Sequence, residues 1–73
     1  MNQTRYKLVH LRAWRERKHL TQEKLSQLAG MGKSTVTRLE TGKNEANGIT
    51  VEKLADGLGI TRDQLLNKEP GGE

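Results

Sequence analysis

One device recurs four times in this 73-residue chain: an apolar residue, a capping position directly after it, and a second apolar residue four positions beyond the cap. The sets are Leu20/Thr21/Leu25, Met31/Gly32/Val36, Ile49/Thr50/Leu54 and Ile60/Thr61/Leu65. This is the spacing of a hydrophobic staple around a helix N-cap. Gln64 stands three residues after Thr61, as in a capping box. Helix ends are marked as well, because Gly30, Gly42 and Gly59 suit the left-handed position after a helix, and His19 takes that place after the first one. Apolar stripes at helical spacing fill the intervals: Leu8, Leu11 and Trp14; Leu25 and Leu28; Val36 and Leu39; Val51, Leu54, Ala55 and Leu58. Alternating runs rich in β-branched residues, the signature of strands, are nearly absent. With a first helix over residues 5–18, the spacing predicts five helices and an all-α bundle. The domain is expected over residues 1–68. Residues 69–73 carry turn formers without an apolar anchor and are expected to form a flexible C-terminal tail.

Composition narrows the function classes. A domain this small buries only about 60% of its unfolded surface, and its aromatics are limited to Tyr6 and Trp14. The core must therefore come from Leu, Val, Ile, Met and Ala. Absence of cysteine removes disulfides and thiolate metal sites together. No apolar run approaches the ~20 residues of a membrane span, so a soluble, cytoplasmic chain without membrane contact is expected. The net charge of +4 leans toward a polyanionic partner. Its distribution says more: Arg5, Lys7, Arg12, Arg15, Arg17 and Lys18 face a single acid, Glu16, within residues 5–18. A solvated basic helix face is the bland alternative.

The stretch Gly30-Met31-Gly32-Lys33-Ser34-Thr35 ends in the letters that close a phosphate-binding P-loop. Such a loop needs a glycine five residues before Gly32 and a strand ahead of it. Gln27 occupies that position, and "TQEKLSQL" reads as a helix, which excludes the nucleotide-binding reading. Two short helices joined by a tight glycine-containing turn instead form a helix-turn-helix, whose second helix enters the DNA major groove. At about 100° per residue, Lys33, Ser34, Thr37 and Arg38 share one side of that helix, opposite Val36 and Leu39. The outward side is polar, basic and free of acids. Arg and Lys can reach guanine O6/N7, and Ser and Thr can donate, accept or touch a thymine methyl. These four are the candidate base-reading residues.

Residues 8–66 resemble the Cro/repressor-type helix-turn-helix family, also called XRE, with its five-helix lambda repressor-like fold. The matching letters are "LTQEKLSQLAG", "STVTRLETGK" and "LADGLGITRDQLL". Departures are Trp14 in place of an aliphatic residue, His19 for a usual Gly, Gly32 for a usual Ser or Thr, and a linker "KNEANGIT" without the common Pro. The resemblance implies phosphate contacts from Thr21 and Gln22 at the start of helix two, where free N–H groups attract anions. It implies the same for Lys43 and Asn44 in the loop after helix three. It also places an ion pair on Arg15 and Glu40. Arg15 falls between Leu8 and Leu11 on the helical wheel, and Glu40 sits in a last helical turn that disfavours an anion, so each relieves the other. Members of this family tend to dimerise through C-terminal helices, which points to Leu65 and Leu66 as a dimer interface.

The expected function is a sequence-specific regulator of transcription, foremost a repressor, binding a pseudo-palindromic double-stranded operator as a homodimer and complete as a single domain. The alternatives are an antitoxin, which would bind a toxin protein while repressing its own operon, and a protein-binding scaffold. Trp14 continues the Leu8–Leu11 stripe and is expected in the core. His10 and His19 lack a third ligand for a metal site. Ser34, His10 and Asp63 come with no base or oxyanion element that would make a catalytic site. Neither enzyme activity nor a cofactor is expected.

Overall fold

A computed structural model describes residues 4–71 and contains five helices among them: α1 (Leu11–Arg17), α2 (Gln22–Ala29), α3 (Lys33–Thr41), α4 (Gly48–Leu58) and α5 (Arg62–Asn67). The all-α, five-helix expectation holds. Two boundaries differ from the sequence reading, and both differences have a local cause.

The first helix does not span residues 5–18. It begins at Leu11, because Tyr6 forms an isolated antiparallel bridge with Ala46. Tyr6 N–H donates to the Ala46 carbonyl at 2.7 Å, and Ala46 N–H donates to the Tyr6 carbonyl at 2.9 Å. Those backbone groups are thereby withdrawn from any helix. Leu8 still reaches the core, with 2% exposure, through a turn in which Leu11 N–H donates to its carbonyl at 3.3 Å. The apolar spacing thus identified the buried side correctly and extended the element too far. At the other end His19 adopts the left-handed conformation, with φ of 58°.

The cap of α4 is Asn47, not Thr50. Asn47 accepts the Thr50 N–H through Oδ1 at 2.8 Å, so Thr50 lies inside the first turn. Asn is the stronger capping residue of the two, and Ala46 before it is already pinned by the bridge to Tyr6. The staple here is Ala46/Asn47/Val51, with both apolar members buried, while Ile49 stays 66% exposed. The other two threonine caps form as the spacing predicts. Thr21 accepts from Lys24 N–H at 3.0 Å, and Thr61 and Gln64 form a reciprocal capping box.

The core joins Leu8, Leu11, Trp14, Leu25, Ala29, Val36, Leu39, Ala46, Val51, Leu54, Ala55, Leu58 and Leu65, and half-buried Tyr6, Leu20, Met31, Ile60 and Leu66 pack around it. Leu28 is half exposed, so the buried stripe of α2 is Leu25 with Ala29 rather than Leu25 with Leu28. Trp14 is fully buried and its indole is not left unpaired. Nε1–H points at the Gln64 and Lys68 carbonyls, 3.1 and 2.9 Å away. The Gln64 carbonyl also accepts the Lys68 N–H at 3.1 Å, and Lys68 itself is the residue that ends α5. An aliphatic residue at position 14 could fill the volume but could not tie α1 to the end of α5 through these two bonds. The chain beyond α5 is consequently held at Lys68, and Pro70 is half-buried beside Val9, His10 and Ala13. Of the expected tail, Gly72 and Glu73 lie outside the described residues.

Candidate nucleic-acid interface

The position of α3 follows from its two neighbours. Gly30 closes α2 with φ of 69°, a conformation that costs a residue with a Cβ about 1–2 kcal/mol. Gly32 then opens α3 in extended geometry without a side-chain cap. The Gly-Lys-Ser-Thr letters are therefore the start of a helix that follows another helix. Val36 and Leu39 pin α3 to the core with 0% and 3% exposure. On the other side Lys33, Ser34 and Arg38 are exposed and Thr37 is half-buried. These four line one open groove together with Thr41 and Lys43, and no carboxylate contributes to its wall.

Behind the groove α3 is locked by a buried polar network. Arg15 from α1 forks onto Glu40, with Nε 2.5 Å from Oε2 and Nη2 3.2 Å from Oε1. Its Nη1 donates to the Leu20 carbonyl at 2.8 Å. The side chains of Arg15 and Glu40 are only 13% and 3% exposed. The hydrogen bond donated to Glu40 raises the pKa of the guanidinium above its ordinary value against the opposing effect of burial, with the charges of Glu40 and then Glu16 adding to the rise. Glu40 thus lies on α3 but contributes no negative charge to the outward groove.

Gln22 joins this network, a contact with no periodic signal in the sequence. Its Nε2 donates to Glu40 Oε1 at 3.0 Å, and its Oε1 accepts from Thr37 Oγ1 at 2.9 Å. Thr37 Oγ1 also lies 3.2 Å from the Lys33 carbonyl. The single hydroxyl hydrogen of Thr37 is therefore engaged inside the protein, leaving an acceptor and a methyl for the groove. The Gln22 amide keeps a second N–H. Thr21 accepts the cap bond and keeps its hydroxyl hydrogen. Lys43 and Asn44 are exposed in the loop after α3, with their backbone N–H groups both directed at the Arg38 carbonyl.

The two leucines expected at a dimer interface part ways. Leu65 is fully buried in the core, so it has no surface to offer a second chain. Leu66 is half-buried against the core edge. Among the described residues no cluster of His, Cys, Asp or Glu could hold a metal ion, and no helix is long and apolar enough to cross a membrane.

The family described as Helix-turn-helix (HTH_3) matches residues 11–65, all five helices but for the last two residues of α5. The chain belongs to the helix-turn-helix family. This helix-turn-helix protein shares its fold with solved controller and repressor proteins. The restriction-modification controller protein C.AhdI from Aeromonas hydrophila is 36% identical, with a TM-score of 0.75 over 77% of this chain and 85% of that one. The P22 c2 repressor, crystallised with a synthetic operator, is 24% identical, with a TM-score of 0.75 over 90% of this chain and 100% of that one. SinR, a master regulator for biofilm formation solved in complex with DNA, is 22% identical, with a TM-score of 0.73 over 78% and 92% of the two chains. The last two likenesses concern the fold alone. No curated protein sequence matches the chain significantly.

Proposed function

We propose that the protein is a DNA-binding regulator of transcription, acting as a repressor, that reads a double-stranded operator by placing α3 in the major groove. One observation carries this reading: the groove lined by Lys33, Ser34, Thr37 and Arg38 is basic and acid-free, although the same helix carries Glu40. A merely solvated face would mix signs. Here the acid is drawn inward by Arg15, and the outward side is left with cations and hydroxyls. Family membership and the likeness to a controller protein and a repressor support the same conclusion.

In this reading Arg38 and Lys33 reach guanine edges, with Ser34 and Thr37 contacting neighbouring bases. Thr21, Gln22, Lys43 and Asn44 hold the phosphate backbone and set the register without reading sequence. A homodimer would place two copies of α3 on half-sites about one DNA turn apart, with Leu66 at the edge of the shared surface.

Arg38→Ala tests the assignment. It should weaken binding to the preferred site by about 1–3 kcal/mol and relax the preference at one base pair. Quantitative binding to a panel of single-base variants reads both effects. An equal loss on every sequence would make Arg38 a phosphate contact instead.

A further inference from the structure

A second set of cations lies outside the residues assigned above. Tyr6 and Ala46 exchange both backbone hydrogen bonds, so the chain around Tyr6 is held in strand geometry. Side chains alternate along a strand. Tyr6 turns to the core, which it packs against, and Arg5 and Lys7 turn together to the opposite side, where both are exposed. There they line one hollow with Gly42, Lys43, Asn44 and Glu45. Lys43 also forms part of the wall of the α3 groove, so the hollow continues that groove past the end of the helix.

Three cations, Arg5, Lys7 and Lys43, face one acid, Glu45, in this hollow. Among the described residues the three basic side chains make no hydrogen bond or ion pair. Like charges crowded without partners repel one another and do nothing for the free fold. A polyanion laid along the hollow would offset that repulsion. We propose that Arg5 and Lys7, held beside Lys43 and Asn44 by the Tyr6–Ala46 bridge, form an additional anchor for the phosphodiester backbone of duplex DNA. The proposal rests on the DNA-reading role of α3, whose groove it extends. Phosphate contacts carry no sequence information, so the anchor adds affinity and salt dependence but no base preference.

Salt dependence provides the test, and it needs no knowledge of the operator. Binding of a roughly 30-base-pair duplex of arbitrary sequence is followed by anisotropy as salt rises from about 50 to about 200 mM. Each neutralised phosphate contributes ~0.9 to the slope of log affinity against log salt. Over that fourfold range the Arg5→Ala/Lys7→Ala variant should therefore lose about 12-fold less affinity than the unaltered chain. The charge-keeping variant Arg5→Lys/Lys7→Arg should return to the original slope; if it behaves like the alanine variant, charge is not the cause and the anchor is overturned. An alanine variant whose slope matches the unaltered chain also overturns the anchor, while leaving the reading of α3 intact. An unaltered chain that binds no duplex at any salt overturns both.

Discussion

At the scale of the residue, Glu40 is the position on which most depends. Its carboxylate receives the Arg15 fork and the Gln22 amide, and Gln22 in turn holds Thr37. Removing Glu40 alone leaves a guanidinium with little solvent and only the Leu20 carbonyl for company. Breaking a buried pair from one side costs about 3–5 kcal/mol, whereas replacing both partners with apolar residues of similar size can be neutral. Glu40→Ala should therefore destabilise much more than the double change Arg15→Met/Glu40→Leu. Thermal melts read the difference, since 1 kcal/mol corresponds to about 4–8 °C in a domain of this size. Effects that simply add, with no coupling, would remove the pair from the account. Part of this was legible beforehand, because Arg15 falls on an apolar wheel face and Glu40 on an unfavourable helix end. The Gln22 bridge was not: its partners lie 15 and 18 residues away with no period connecting them. Leu65 and Leu66 were similarly ambiguous, as adjacent apolar letters do not reveal which of the two turns inward.

At the scale of the element, the sequence spoke clearly wherever a helix end carried its own chemistry. Thr21 and Thr61 cap as their spacing indicates, and the glycine closing α2 takes the left-handed conformation. It misled where a long-range contact overrode local preference. The Tyr6–Ala46 bridge shortened α1 and, by fixing Ala46, allowed Asn47 to start α4 one turn early. Neither partner advertises a strand, and a single bridge leaves no alternating pattern to read. The two candidate caps of α4 can be separated directly. Asn47→Ala should lower stability by about 1 kcal/mol through loss of the cap bond. Thr50→Ala should cost little or nothing, because alanine is the better residue inside a helix. A chemical denaturation series on the two variants decides between them, and the reverse order would restore Thr50 as the cap.

At the scale of the whole molecule, the radius of gyration is 11.1 Å, close to the ~11 Å expected of a folded domain of this length. Small size shapes how the protein can work. The nine residues of α3 span about 14 Å, enough to contact only part of one groove. In the homodimer proposed above, with Leu65 enclosed in the core, the contact between the two copies would fall to other surface residues. The central claim is that α3 reads sequence, not merely charge. Selection of bound duplexes from a random pool, at near-physiological salt and with the unaltered protein, tests it most directly. Enrichment of a pseudo-palindrome with half-sites about one helical turn apart is the predicted result. A pool that stays random despite binding would mean that the basic groove holds phosphates alone, and would contradict the account.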